Sequence, residues 1–135
     1  MEPEKIKHFE LIQNIITRMN KNSFQIKGFS IAVITGLLAV YAKTLNFWMI
    51  PIAYPTIIIF WIVDSFYLQH ERKFRGLYNE LVENDTSSQR KVFDMNISKF
   101  KDGTYSLASA MFISINSFIY IILMTFFTIL VCIIN

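Results

Sequence analysis

At 135 residues, 53% of them hydrophobic and 17% charged, with a mean hydropathy of +0.40, the chain has room for one unit and is too apolar for a soluble domain of that size. A separate enzymatic domain does not fit beside it. The single cysteine, Cys132, excludes an intrachain disulfide, and the net charge of +3 matters through its distribution rather than its size.

The first 22 residues predict an amphipathic helix. Ile6, Phe9, Ile12, Ile16 and Met19 recur at helical spacing, with Lys5, Lys7, Glu10, Asn14 and Arg18 on the other side. Such a helix either lies on a surface and supports a bundle or docks a partner. No signal-peptide pattern accompanies it, so no cleaved targeting segment is expected. The next stretch, 24–43, predicts a first transmembrane helix. Within it Gly28, Ala32, Thr35, Ala39 and Ala42 follow a 4-3-4-3 spacing that lines small side chains on one stripe. That stripe is a packing seam, within the chain or between copies.

Lys43-Thr44-Leu45-Asn46 offers the turn back, and 47–68 predicts a second span that opens on the interfacial pair Phe47-Trp48. Pro51 suits a first helical turn, whereas Pro55 lies further in and is expected to kink the helix. No breaker follows between Thr56 and Gly76. The helix is therefore expected to leave the membrane as a stalk to about Glu83, within a polar stretch of stalk and loop over 69–105. Asp64, Glu71, Arg72, Arg75 and Tyr78 are its candidate partner or gating residues, with Glu71 and Arg75 spaced four apart for an ion pair. Asp64 stands roughly 26 Å beyond Phe47, close to the interface. It reads as a carboxylate reaching water, as one member of a ring in an oligomer, or as the partner of Arg72 or of a basic residue in the N-terminal helix.

Residues 84–88 are expected to end the stalk, and 92–97 to lie extended along the membrane surface. Asp102-Gly103-Thr104 reads as the turn into a third span, 106–134, with Thr104 or Ser106 as its N-cap. This span carries a second stripe of small and hydroxyl residues: Ser106, Ala110, Ser114, Ser117, Thr125 and Thr128. Asn116 lies beside the stripe in the bilayer, where an amide is expected to face the bundle interior or an oligomer contact.

Twelve of the 13 Lys and Arg lie before Gly28 or between Glu71 and Lys101. Positive residues are retained on the cytoplasmic side, so the N-terminus and 69–105 are placed inside and the C-terminus outside. The basic residues are interleaved with Glu71, Glu80, Glu83, Asp85, Asp94 and Asp102, and direct nucleic-acid binding is not expected. The fold class is thus all-α: an integral membrane protein of three transmembrane helices, with an N-terminal amphipathic helix and a cytosolic extension of the second span.

Catalytic constellations are missing. His8 and His70 have no ligand-spaced companions, Cys132 has no neighbouring His or Asp, and the four glycines form no phosphate-cradling loop. No cofactor, metal or enzymatic activity is expected.

The run Asp64-Ser65-Phe66-Tyr67-Leu68-Gln69-His70-Glu71-Arg72-Lys73-Phe74-Arg75-Gly76-Leu77-Tyr78 is a membrane exit followed by an aromatic and basic stalk. It resembles small bacterial membrane proteins of defence loci, and among named groups the SLATT-type membrane effectors, over about Phe24 to Glu83. The resemblance implies an inner-membrane effector that oligomerises and breaches the bilayer as a pore on a cytosolic trigger, in antiviral defence. The chain departs from the SLATT pattern by its third span and by lacking a fused sensor, which points to a separately encoded sensor or enzyme as partner. The alternative expectation is an anchor that recruits a soluble protein through 69–105, where Phe74, Tyr78, Phe93 and Phe100 offer contacts. A constitutive channel or transporter ranks last, because no charge is placed at the membrane midplane.

Overall fold

The computed structural model describes residues 3–83 and 93–134. Their regular structure is entirely helical: α1 (Pro3–Thr44), α2 (Met49–Glu83), a 3-10 turn (Gly103–Tyr105), α3 (Leu107–Phe112) and α4 (Asn116–Ile134). Three of these helices, α1, α2 and α4, are long and apolar enough to cross a membrane.

The 42 residues of α1 make a rod about 63 Å long, and the 35 of α2 one of about 52 Å. Both are far longer than a hydrocarbon layer of about 30 Å. They pair antiparallel as a hairpin whose two ends differ in chemistry. Around the turn, α1 carries no charge between Lys27 and Lys43 and α2 none between Met49 and Val63; toward the other end both are studded with charges.

The amphipathic stretch 1–22 and the first span 24–43 are not two elements. The helix runs through 20–28 without interruption, because Asn20 to Gly28 contains neither Pro nor a capping break. Its buried face, His8, Ile12, Ile16, Ser23, Ile34 and Tyr41 among others, advances in steps of four and seven. That is one seam sustained along the whole rod.

The hairpin turn is built by its own side chains. Leu45 takes a left-handed φ of 50° as the residue that ends α1, with its amide on the Tyr41 carbonyl at 2.7 Å. The Asn46 side chain then accepts from the Trp48 amide at 3.1 Å and starts α2. The helix passes Pro55 as one element.

The third apolar stretch is broken. Instead of one helix over 106–134, α3 ends at Phe112 and α4 begins at Asn116. Ser106 caps α3 by accepting from the Ser109 amide at 3.1 Å. Ser114 does the same for α4, taking the Asn116 amide at 3.0 Å, and thereby competes with continuation of the helix. The break frees the Met111 carbonyl, which receives the Trp61 indole N–H at 3.2 Å and the Ser117 hydroxyl. A backbone interruption within an apolar stretch is tolerated when side chains take over the lost bonds in this way.

Two cores follow. Around the apolar half, Ile34, Ala53, Ile57, Tyr120 and Phe127 are buried together. Tyr54 adds an edge-on ring contact to Phe127 and a 2.7 Å hydrogen bond to Thr128. At the charged half, Ile12, Ile16 and Leu77 form a second core, covered by Met95, Ile97 and Phe100. The segment 93–100 therefore packs onto the hairpin through Met95, Ile97 and Phe100. Asx turns at Asp94 and Asn96 shape it, and Lys99 pairs with Glu80. Residues 84–88, expected to end the stalk, lie outside the described residues.

Candidate functional site

The charged and apolar halves of the hairpin meet at Lys27 and Asp64. The two positions lie nearly equidistant from the turn, so the antiparallel register brings them together. Asp64 is 1% exposed, and the Lys27 side chain 14%. The Lys27 ammonium sits 2.9 Å from one carboxylate oxygen and 3.0 Å from the other. Ser23, one turn earlier on α1, donates to Asp64 and accepts from Lys27 at 2.7 Å. One turn later, Ser30 is fully buried and donates to the Lys27 carbonyl at 2.8 Å.

The third wall comes from α4. The Tyr120 ring is buried and stacks on Trp61 at a centroid distance of 6.3 Å. Its hydroxyl faces Asp64 and Ser30 within electrostatic reach, without completing a well-formed hydrogen bond to either. Side chains of three helices thus converge on one carboxylate. An ion pair so enclosed contributes little net stability, since desolvation offsets most of the attraction, but losing either member leaves a stranded charge. Its physical effect is to fix register and angle between helices.

This corrects the reading of Asp64 as a carboxylate in contact with water. Its partner is Lys27, which lies in the stretch 24–43 expected as the first span and not in the N-terminal helix 1–22, whereas Arg72 donates to the Thr104 carbonyl at 3.1 Å and to Ser109 at 3.3 Å. Glu71 and Arg75 form the i, i+4 pair at 2.9 Å, and Tyr78 meets Phe9 edge-on at 5.4 Å. Phe74 and Phe100 are partly buried in the charged-half core, so less of the aromatic surface of 69–105 is free than the sequence suggests.

The two small-residue stripes have different fates. Gly28, Ala32, Thr35, Ala39 and Ala42 are all exposed, on the face of α1 opposite its buried seam. On the third apolar stretch, Ser114 and Ser117 are buried at the break and Asn116 is half-buried beside them, at the level of the ion pair rather than deep in the apolar layer; Thr125 is exposed. Among the described residues no group of three or more His, Cys, Asp or Glu gathers that could hold a metal ion.

Sequence reasoning did not single out Lys27, Ser23, Ser30 or Tyr120. A usable signal existed for the first two: once the turn is placed near 45–46, mirroring Asp64 through it lands in the turn of helix that holds Ser23 and Lys27. Nothing comparable points to Tyr120, whose approach depends on the break at 113–115. Compared with protein-family models, with curated proteins and with solved structures, the chain has no match.

Proposed function

We propose that the chain is an oligomeric effector of a bacterial cytoplasmic membrane, multi-pass, with the charged half of the hairpin in the cytosol and the C-terminus outside. In this reading a cytosolic trigger acts on the stalk, tilts it, and rearranges the intramembrane helices of associated copies so that the bilayer leaks, as in antiviral defence. The observation that carries it is the unbroken passage of α1 and α2 from the charged into the apolar half, clamped at the crossing by Lys27 and Asp64. A movement of the stalk then has to be felt inside the bilayer. The outward stripe of Gly28, Ala32, Thr35 and Ala39 supports association between copies, because small residues let a second helix approach closely. The SLATT-like run of Asp64 to Tyr78 points the same way.

The test is depolarisation of bacteria that express the chain together with its triggering stimulus, such as phage infection. Depolarisation lost with Ala39→Leu supports the proposal; membranes that stay sealed under triggering refute it.

A second reading, an anchor for a separately encoded sensor or enzyme, is favoured by one observation. Near the stalk tip α1 and α2 leave a groove of about 520 Å³ lined by Ile6, Phe9, Tyr78 and Val82. This reading predicts a soluble partner that co-purifies with the wild-type chain and is lost with Ile6→Glu/Val82→Glu, which places charge in the groove.

A further inference from the structure

Directly beside the ion pair, where α3 gives way to α4, an open cavity of about 530 Å³ runs between the hairpin and the start of α4. Its lining has two chemistries. The polar part includes Asn20, Lys27, Glu71, Arg72, Ser114 and Asn116, of which Asn20 is exposed. The apolar lip is exposed as well: Phe24 is 75% exposed, Ile113 80% and Ile115 83%.

The charges of the polar lining do not cancel. Lys27 is neutralised by Asp64, and Glu71 by Arg75. Arg72 bonds only to neutral acceptors, a carbonyl and a hydroxyl, and has no carboxylate partner among the described residues. The cavity therefore holds one uncompensated guanidinium. Beside it the side-chain amides of Asn20 and Asn116 make no hydrogen bond within the described residues, so their N–H donors are available.

We infer that this cavity binds the headgroup phosphate of an anionic phospholipid, with Arg72 as the charged contact, Asn20 and Asn116 as donors, and the acyl chains leaving over Phe24, Ile113 and Ile115. A phosphodiester carries one negative charge, which matches the one unpaired cation, and a planar guanidinium is suited to two phosphate oxygens at once. The apolar lip selects a lipid over a free phosphate, because isolated phosphate gives Phe24, Ile113 and Ile115 nothing to cover them. The inference rests on the membrane placement proposed above and adds the ligand that the boundary would take. The headgroup would sit against the helix turns that carry the ion pair, so lipid composition would bear on the clamp.

The test is native mass spectrometry of the full chain released from detergent micelles, titrated with phosphatidylglycerol, phosphatidylcholine, or glycerol 3-phosphate. One phosphatidylglycerol is expected to be retained per chain, in preference to phosphatidylcholine. Arg72→Gln should weaken retention about 10-fold or more, as expected for a charge-assisted contact. Lys73→Gln, which removes the same charge elsewhere on α2, should leave it unchanged. Arg72 also supports the backbone at Thr104, so Asn20→Asp is the second variant: it places a negative charge on the exposed wall of the cavity and should expel the lipid while the helical content stays constant. Equal loss in Arg72→Gln and Lys73→Gln would overturn the inference, as would retention in Asn20→Asp, or glycerol 3-phosphate binding as tightly as the lipid. Failure of the membrane placement reads out separately, as wild-type chain that stays in solution without detergent.

Discussion

Breaking the Lys27–Asp64 pair from one side and then from both separates a clamp from an incidental contact. Asp64→Leu leaves the Lys27 ammonium without its counter-ion, with the Ser23 hydroxyl as its remaining close polar contact. Because that side chain is 14% exposed, and a lysine stem can bend its head toward water, the expected loss is at the low end for a broken buried pair, about 3 kcal/mol. Lys27→Met strands the carboxylate instead. Asp64 is 1% exposed and keeps only hydroxyl groups near it, so the expected loss is larger, about 4 kcal/mol. The double variant Lys27→Met/Asp64→Leu removes both charges and fills similar volume, and should lie within about 1 kcal/mol of the wild type. The assay is reversible unfolding in mixed micelles of rising sodium dodecyl sulfate content, followed by helical circular dichroism. A double variant destabilised by the sum of the singles, about 7 kcal/mol, would show that the two groups do not act on each other. A loss below about 1 kcal/mol in Asp64→Leu would refute the burial argument itself. If the pair also carries the stalk's motion, the double variant will be folded but silent to the trigger.

Three other outcomes are expected. In Gly76→Ala the added methyl would come within 2.8 Å of the Tyr105 hydroxyl and 3.1 Å of Phe100; with two aromatic rings to displace, the overlap costs about 2 kcal/mol against a gain in helix propensity of about 1 kcal/mol, and faster proteolysis within 93–105 is the readout. Thr128→Val removes the 2.7 Å partner of the Tyr54 hydroxyl and should lower stability by only about 0.6 kcal/mol, as measured for hydrogen bonds between membrane helices; a loss above about 2 kcal/mol would mean the bond matters more than its exposed position implies. Ala39→Leu enlarges an exposed residue on the face of α1 away from its buried seam, so it should leave monomer stability within about 0.5 kcal/mol while reducing crosslinked dimer, and unchanged crosslinking would remove the stripe from the oligomer contact.

The all-helical class and the three apolar helices were legible because length and hydropathy alone decide them. What stayed hidden depends on contacts between distant residues. The change from a charged to an apolar composition near residue 23 looked like an element boundary, yet α1 is continuous there because its buried seam keeps its phase across the change. The break at 113–115 hides for the opposite reason. Ile113-Ser114-Ile115 is compatible with a membrane helix, and the interruption is stabilised by Trp61, a residue 50 positions away that takes the freed Met111 carbonyl. Asp64 stood out as the one acid near the apolar layer, but its burial follows from α4 closing over it.

If the proposed trigger swings the hairpin about the Lys27–Asp64 pair, the uneven reach of α1 on the two sides of Lys27 makes it a lever. About 37 Å of rod lies on the charged side and about 25 Å on the apolar side. With the fulcrum at the ion pair, a swing of the tip is returned at the Leu45 corner as a travel about two-thirds as large, with a correspondingly larger force. Small loads on the tip would thereby become larger loads on the helix ends around Leu45, where α1 and α2 are joined by only four residues.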